Sequence, residues 1–304
     1  MSSVELSTVL GPARLATPLV AASGTVGSVV ELAEVTDFSR YGAAVAKSVS
    51  ASPWTGRPAP RMAPAGTGML NGVGIQNPGV DAWVADVVPR LGSIPTPVWG
   101  SAVGTTVDEF VKVASAMASA GVPAVELNLS CPNLDGHLFA LDARLSAEVV
   151  AEVRRKVSVP VSAKLSPNSE DIVAVAAACA DAGADWVVLT NTVWGAAIDL
   201  VTGRPRLSGT VGGFSGPPLK PIALRCVIEV HRALPDLPII GCGGVANGDD
   251  AVEYLLAGAS AVGIGTAHFS EPRVAGRVLS GMRRRLRRMK IGSVRDAVGM
   301  MRAW

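Results

Sequence analysis

The chain has 304 residues, 49% of them hydrophobic and 17% charged, so it can bury a large core as a globular protein. Its formal net charge of +2 excludes an overall electrostatic attraction to nucleic acid or to anionic membranes, and a small molecule is the expected ligand. The amino terminus does not read as a signal peptide and no apolar run reaches spanning length, so we expect a cytoplasmic protein without membrane attachment.

Short apolar runs typical of β-strands alternate along the chain with longer segments of helical period. Eight such runs begin at Pro18, Ala43, Pro97, Ala124, Pro160, Trp186, Pro238 and Ala261. Residues 107–121 and 169–183, which lie between runs, place apolar residues three and four apart and end in glycine. This pattern predicts strands joined by crossover helices.

The strand candidates are apolar throughout, which is typical of a parallel sheet buried on both faces. We therefore predict a TIM (β/α)8 barrel with long active-site loops, in a single domain over residues 1–304. An open doubly wound sheet is the alternative, and it normally carries a glycine-rich dinucleotide fingerprint after its first strand. The sequence "AASGTVGS" at the first strand does not match that fingerprint.

Two segments are longer than a plain barrel connection requires, namely residues 50–79 and 193–220. Each follows the carboxyl end of a predicted strand. Because barrel active sites are built from the loops at that end, we expect both segments to cover the site.

Polar side chains accumulate at the carboxyl ends of the predicted strands, where a barrel brings them to one mouth. They are Ser23, Lys47, Ser48, Ser101, Asn128, Ser130, Cys131, Lys164, Ser166, Asn191 and Thr192. Amides, hydroxyls and two lysines without a carboxylate pair or a histidine cluster indicate a flavin site and no metal. The alternative for Lys47 and Lys164 is that they cap strand ends and point into solvent, but an ammonium in so apolar a strand needs a partner.

Glycines follow the seventh and eighth predicted strands, where TIM barrels often bind phosphate. Residues 241–245 and 263–266 are rich in glycine, and so is the earlier stretch 212–216. Backbone amides there, together with a helix start at residues 247–256, predict a cradle for a dianion.

Four cysteines are spread along the chain, and none has the CxxC spacing of a zinc, iron–sulfur or redox site. Cys179 and Cys226 lie within predicted helices and read as small buried residues. Cys131 instead precedes a proline in "ELNLSCPN", close to Asn128 and Asn133. A thiol in that setting is a candidate proton acceptor.

Taken together, these motifs resemble the flavin-dependent dihydroorotate dehydrogenases of pyrimidine biosynthesis. The matching stretches, in the family's order over residues 21–269, are "ASGTVG", "AKSVS", "MLNGVGIQNPG", "ELNLSCPN", "AKLSPN", "LTNTVWGAAID", "GGFSGPPLKPIALR" and "IIGCGGVANGDDAVEYLLAGASAVGIGTA". The resemblance implies FMN as cofactor and oxidation of dihydroorotate to orotate. It also implies that Cys131 is the general base, since the family's soluble class uses cysteine where the membrane-associated class uses serine.

Carried over position by position, the resemblance implies two sets of ligand contacts. The substrate contacts are Lys47, Asn71, Gly72, Val73, Gly74, Ile75, Asn128, Asn191 and Thr192. The flavin contacts are Ser23, Lys47, Ser48, Ser101, Asn128, Lys164, Gly216, Gly243, Gly244, Gly265 and Thr266. The amides would pair with the substrate ring and the Lys47 ammonium with its carboxylate. The chain departs from the family at Ser101, where asparagine is usual, and in residues 133–143, which lack a glycine pair.

Residues 214–225, "FSGPPLKPIALR", are most similar to class 1B of the family. That subgroup's catalytic subunit works with an iron–sulfur, FAD-containing electron-transfer subunit and is linked to NAD rather than fumarate. We accordingly expect a homodimer that associates with such a subunit. Two alternatives stay open: a dihydropyrimidine dehydrogenase-like flavoenzyme acting on uracil or thymine, and a non-catalytic flavin-binding electron-relay subunit.

The arginine-rich residues 283–290 resemble a nucleic-acid patch, but apolar residues recur there at helical spacing. They are Val274, Val278, Met282, Leu286 and Met289. We therefore predict a final helix whose arginines form a solvated face.

Overall fold

Eight parallel strands form a closed barrel in the computed structural model, which describes residues 4–129 and 139–302. The strands of the described chain are β1 Thr8–Leu10, β2 Ala13–Leu15, β3 Leu19–Ala21, β4 Ala43–Val45, β5 Met62–Ala65, β6 Gly68–Asn71, β7 Val98–Ala102, β8 Val125–Asn128, β9 Val161–Lys164, β10 Trp186–Leu189, β11 Val193–Ala196, β12 Val211–Ser215, β13 Ile239–Cys242 and β14 Ala261–Ile264. The barrel order is β3, β4, β7, β8, β9, β10, β13 and β14, closing back on β3. All eight predicted strands and the TIM barrel are thus confirmed.

Helices surround the barrel. They are α1 Val80–Asp86, α2 Val88–Leu91, α3 Val107–Ser119, α4 Ala143–Arg154, α5 Ile172–Asp181, α6 Lys220–Ala233, α7 Gly248–Ala257, α8 Ala267–Ser270, α9 Val274–Arg288 and α10 Val294–Ala297. The two predicted crossover helices are confirmed as α3 and α5, and each begins at a side-chain cap, Thr106 or Asp171. The β3–β4 connection differs, because it holds two short 3-10 turns, Val30–Leu32 and Phe38–Arg40.

The lower part of the barrel interior is packed with apolar side chains. Trp99 and Trp186 lie with ring centroids 5.0 Å apart, and both are buried. Leu10 and Leu15 from the β1–β2 hairpin pack into the same cluster and close the amino-terminal end of the barrel. This hairpin was not predicted, because its two strands have only three residues each.

The two long segments predicted as loops form an antiparallel sheet. Strands β5 and β6 come from the first segment and β11 and β12 from the second, in the order β11-β12-β6-β5. Leu70, Ala63 and Leu207 form a small apolar cluster beneath it. The sheet stands over the carboxyl end of the barrel, so the expectation that both segments cover the site is confirmed.

The final long helix, α9, buries the apolar stripe that the sequence predicts. Val274, Val278, Met282 and Leu286 are buried, whereas Met289 lies just past the helix end and is 40% exposed. The arginines lie on the other side, where Arg285 pairs with Asp249. None of the helices in the described ranges is long and apolar enough to cross a bilayer.

Candidate active site

A cavity of about 740 Å³ opens at the carboxyl ends of the barrel strands, which is within the usual size for a small-molecule site. Most of the predicted contact residues line it together. They are Ser23, Lys47, Ser48, Asn71, Val73, Gly74, Ile75, Asn128, Lys164, Asn191, Thr192, Gly216, Gly243, Gly244, Gly265 and Thr266. Of these, Ser48 is buried and only 4% exposed. Seven of the eleven predicted polar strand-end residues therefore line one cavity, whereas Ser101 and Ser166 do not line it, and Ser130 and Cys131 lie outside the described residues.

A chain of hydrogen bonds joins the polar side chains across the strand ends. Ser48 Oγ lies 2.8 Å from Ser101 Oγ and accepts from Asn128 Nδ2 at 3.1 Å. Asn191 Nδ2 donates to Asn128 Oδ1 at 3.4 Å, and the Thr192 N–H donates to Asn191 Oδ1 at 2.7 Å. These bonds fix which amide edges face the cavity, because each amide uses one known atom to hold its neighbour.

Two predicted contacts do not line the cavity. Ser101 is fully buried, and its hydroxyl lies within hydrogen-bond distance of Ser48. It supports a cavity residue from behind, and its contact with a flavin stays a prediction. Gly72 also lies outside the lining, and its N–H donates to the carbonyl oxygen of Arg61 at 2.7 Å.

The two lysines of the site differ in surroundings. Lys164 is only 7% exposed and lines the cavity, and its ammonium makes no hydrogen bond within the described residues. Its nearest opposite charge is Glu126, whose Oε1 lies 4.0 Å from the Lys164 Nζ. Lys47 is half-buried, and its backbone N–H is held by the carbonyl oxygen of Gly27. A buried ammonium facing a cavity in this way favours an anionic or electron-rich ligand.

Backbone glycines form the wall of the cavity beyond β13 and β14. A Cβ on Gly243 would lie 2.7 Å from the Cβ of Ala223, and one on Gly244 would lie 2.9 Å from the carbonyl oxygen of Pro217. No hydrogen bond within the described residues uses the N–H of Gly243, Gly244 or Thr266. These amides fit the predicted anion cradle, because free N–H groups in a wall without side chains can approach a phosphate closely.

The predicted contribution of the α7 amino terminus to that cradle is wrong. Asn247 Oδ1 accepts from the N–H groups of Asp249 and Asp250, and Asp250 Oδ2 accepts from those of Ala246 and Asn247. This reciprocal capping box occupies the amides that would otherwise bind an anion. The Asp250 carboxylate is in turn paired with Lys220, whose Nζ lies 2.7 Å away.

A buried histidine supports the same wall from behind. His268 Nε2 lies 2.6 Å from the Tyr41 hydroxyl and Nδ1 lies 3.0 Å from Thr25 Oγ1. Thr25 donates its own proton to the carbonyl oxygen of Ala22, so it accepts from Nδ1–H and leaves Nε2 to accept from Tyr41. Burial lowers the pKa of the His268 imidazole to about 4, so the ring is neutral at physiological pH.

The antiparallel sheet forms the outer side of the cavity. Asn71 Nδ2 donates to the carbonyl oxygen of Gly213 at 3.2 Å, which fixes the amide of a predicted substrate contact. A Cβ on Gly213 would lie 2.2 Å from Thr192 Oγ1, so the strand approaches the barrel mouth closely there. Met62 and Met69 from the same sheet also line the cavity.

Several lining residues were not found from the sequence. Thr190 and Cys242 stand at strand ends, and Phe269 and Arg277 approach from the helices that follow β14. Arg277 is paired with Glu271 at the surface. Thr190 could have been predicted from its position at a strand end. Arg277 could not, because it reaches the cavity only through the packing of α9.

Three further expectations concern residues of which less can be said. Cys131, the predicted base, and Ser130 lie outside the described residues. The altered stretch 133–143 is described only from Phe139 onwards. Among the described residues no cluster of histidine, cysteine or carboxylate side chains is arranged to hold a metal.

Comparison with known proteins shows that the chain is similar in sequence to one protein family. The family model for dihydroorotate dehydrogenase matches residues 5–286. The chain is 42% identical over 304 residues to the "Dihydroorotate dehydrogenase B (NAD(+)), catalytic subunit" of Geobacter sp. (strain M21), covering 99% of both chains. It is 43% identical to the protein of that name from Geobacter sulfurreducens, again over 99% of both chains. The protein of that name from Alkaliphilus metalliredigens is 40% identical over 303 residues, 99% of this chain and 100% of the relative.

Proposed function

The chain belongs to the dihydroorotate dehydrogenase family, and on that premise we propose that it oxidises dihydroorotate to orotate with FMN as its flavin. The observation that carries the proposal is that Lys47, Lys164 and three asparagine amides line one cavity together with glycines whose N–H groups make no hydrogen bond within the described residues. Such a site matches a ligand pair consisting of a carboxylated dihydropyrimidine ring and a phosphorylated flavin.

In the proposed reaction the substrate loses two hydrogens from neighbouring carbons. Bound FMN would supply the acceptor for a hydride, that is, two electrons and one proton. Cys131 is proposed to take the remaining proton as a thiolate, so that the carbon–carbon double bond of orotate forms from the electrons left behind. Asn128 lines the cavity three positions earlier in the chain, which supports this role for Cys131.

The substrate is proposed to bind at the side of the cavity that the antiparallel sheet covers. Lys47 would pair with the substrate carboxylate, and the amides of Asn71, Asn128 and Asn191 would pair with the polar edge of the ring. The hydrogen bonds that Asn71 and Asn191 make to their neighbours support this assignment, since they orient both amides before a ligand arrives. The backbone of residues 73–75 would close the pocket above the ring.

The flavin is proposed to bind along the opposite wall. Its ring would lie against Lys164, with Ser23 and Ser48 at one edge, and its phosphate would accept from the N–H groups of the glycine wall. Ser23 Oγ donates to the carbonyl oxygen of Ala46 at 2.8 Å, so the strand ends hold it in place. The ammonium of Lys164, buried and without a hydrogen bond in the described residues, is the observation that most supports an electron-rich ring in the cavity.

Turnover of dihydroorotate and dihydrouracil with an artificial electron acceptor tests the substrate. We expect a strong preference for dihydroorotate, because dihydrouracil has no carboxylate for Lys47. A preference for dihydrouracil would instead support a dihydropyrimidine dehydrogenase-like enzyme. A yellow protein whose flavin is reduced by neither compound would support a non-catalytic electron-relay subunit. Chromatography of the extracted flavin identifies it as FMN or not.

We also propose that the chain forms a homodimer and works with an iron–sulfur, FAD-containing subunit that passes electrons to NAD. Its relatives are named catalytic subunits, which supports the presence of a partner subunit. Strand β11 of the antiparallel sheet exposes Trp194, and the segment beyond it exposes Ile198 as well as Leu200 and Val201, the last two by 94% and 96%. So much exposed apolar surface beside a site supports a protein contact there.

Two measurements address the assembly. Sedimentation of the purified chain should give the mass of a dimer, and a monomer at all concentrations refutes the homodimer. The isolated chain with dihydroorotate should reduce soluble dyes far faster than NAD, because the proposed relay is in the second subunit. Reduction of NAD by the chain alone at the rate seen with dyes would contradict the partner while leaving the core chemistry intact.

A further inference from the structure

A buried carboxyl group lies directly beneath the cavity, and the proposed reaction gives it no role. Glu126 is on β8, two residues before Asn128, and is 2% exposed. Its side chain points into the barrel interior, where its Oε1 lies 4.0 Å from the Lys164 Nζ. The two side chains form the one buried ion pair of the described chain, since the remaining pairs are at least partly exposed.

The surroundings of Glu126 offer little else to stabilise a charge. Ser162 lies opposite it in register on β9, and Trp186 lies opposite Ser162 on β10. Glu126 Oε1, Ser162 Oγ and Trp186 Nε1 all lack a hydrogen-bond partner within the described residues. Burial raises the pKa of the Glu126 carboxyl and the Lys164 ammonium opposes that rise. Cys242 is the other titratable group facing the pair.

The two opposite charges stabilise each other, since the Lys164 ammonium opposes the rise that burial gives the pKa of the Glu126 carboxyl. A single buried charge is strongly unfavourable, and removing one partner leaves the other uncompensated. Lys164 lines the cavity whereas Glu126 does not, so a bound ligand meets the ammonium while the carboxylate stands behind it. The positive potential that Lys164 presents to the ligand is therefore reduced by the carboxylate.

We propose that Glu126 is a positioning residue that holds the Lys164 ammonium and offsets its charge, and thereby lowers the reduction potential of the flavin bound in the cavity. The inference rests on the proposed flavin site. Reduction adds negative charge to a flavin ring, so an ammonium beside the ring favours the reduced form and a carboxylate behind that ammonium opposes it. A lowered potential suits an enzyme whose electrons pass on to an acceptor of low potential such as NAD.

The test compares the midpoint potential of bound flavin in Glu126→Gln, Ser162→Ala and the unaltered protein by equilibration with indicator dyes. Glu126→Gln keeps the shape and removes the charge, and Ser162→Ala alters the same level of the barrel without changing charge. We expect Glu126→Gln to raise the preference for reduced over oxidised flavin about tenfold, or about 30 mV for a two-electron couple. Ser162→Ala should leave it unchanged. An unchanged or lowered potential in Glu126→Gln overturns the proposal.

A second comparison asks whether the effect passes through the lysine. With Lys164→Met as background and FMN in excess, adding Glu126→Gln should no longer raise the potential, because a buried Glu126 carboxyl without its cation is protonated and glutamine then removes no charge. A rise of the same size in that background overturns the positioning role. This comparison also serves if Glu126→Gln alone does not fold, since the double variant leaves no buried charge unpaired.

The outcome is separable from that of the proposed function. A protein that binds FMN but prefers another dihydropyrimidine refutes the proposed substrate, while the potentials of its variants still decide the role of Glu126. A protein that oxidises dihydroorotate but shows equal potentials refutes the role of Glu126 alone. A protein that binds no flavin refutes both.

Discussion

At the amino-terminal end of the barrel the strands enclose close-packed apolar side chains, whereas the same strands end in polar groups at the opposite mouth. Trp99, Trp186 and the hairpin residue Leu10 represent the first region, and all are buried. Ser48 and Asn128 represent the second, joined in a hydrogen-bonded chain that faces a cavity. The difference teaches that stability and ligand binding are supplied by different levels of one sheet. Substitutions at the two levels should therefore have separable effects.

Replacing Cys131 by alanine should give the largest functional loss with little loss of stability. Removal of a general base lowers turnover by roughly a hundredfold to ten-thousandfold, while FMN should remain bound, because its proposed contacts lie elsewhere. Steady-state turnover per bound flavin measures this. Cys226→Ser is the matched control: it introduces a hydroxyl at a fully buried core position and should lower stability without changing turnover per flavin. Near-normal turnover in Cys131→Ala refutes the assignment.

Serine at position 131 refines the same test. A serine hydroxyl gives up its proton less readily than a thiol, so Cys131→Ser should retain more activity at high pH than at neutral pH. A pH–rate profile parallel to that of the unaltered protein would contradict the role of Cys131 as a base.

Replacing Trp186 by alanine should give the reverse result. Truncating a fully buried tryptophan leaves a cavity and costs about 3–5 kcal/mol of unfolding free energy. Its indole N–H has no partner within the described residues, so the loss comes from packing with Trp99 and its neighbours. Urea unfolding measures the cost. The folded fraction should still bind FMN, and loss of FMN binding without loss of stability would break the separation of the two levels.

The buried imidazole of His268 makes the free energy of unfolding depend on pH. Its folded-state pKa of about 4 is below the ordinary value of 6.5, so the unfolded chain binds the proton more readily. The contribution of the neutral His268 ring to the free energy of unfolding is fully present above pH 6.5. It is lost as the pH falls toward 4, and the total loss is about 3 kcal/mol. Urea unfolding at several pH values should show this loss in the unaltered protein and a smaller one in His268→Gln. The same dependence of unfolding free energy on pH in both proteins would contradict the prediction.

The two lysines should divide the ligands between them, with the smallest expected effects. Lys164→Ala should mainly weaken FMN binding, by roughly ten- to a hundredfold, because a charge-assisted contact is lost. Lys47→Ala should weaken both FMN and substrate, because it lies between the two proposed positions. Flavin titration of the apoprotein measures the affinity for FMN. The dependence of turnover on dihydroorotate concentration measures the effect on substrate binding. The opposite division would refute the assignment of ligands to the two walls.

The sequence predicted the barrel and most of its mouth because both depend on local patterns. Apolar runs at regular spacing define the strands, and a parallel barrel brings all their carboxyl ends together whatever the details of packing. Lys47, Asn128 and Lys164 were found for that reason. The capping box at Asn247 and Asp250 was not predicted, and the sequence analysis instead assigned the amides of this helix start to the anion cradle.

What the sequence did not predict depends on contacts between distant segments. The antiparallel sheet pairs short strands from two loops more than a hundred residues apart, as Gly213 with Asn71. The hydroxyl of Ser101 lies 2.8 Å from that of Ser48 behind the cavity, which no local pattern indicates. Glu126 acquires its importance only from Lys164 on the neighbouring strand. Such pairings follow from the register of the closed barrel.

The central claim is that the cavity at the barrel mouth passes electrons from dihydroorotate to a bound flavin, and a single-turnover reaction tests it most directly. The purified, flavin-loaded protein is mixed with dihydroorotate without oxygen, and the flavin absorbance and the orotate formed are followed together. We predict rapid bleaching of the flavin with orotate formed in equal amount, and the same flavin left oxidised in Cys131→Ala over that time. Flavin that stays oxidised in the unaltered protein, or is bleached by dihydrouracil in preference to dihydroorotate, would contradict the claim.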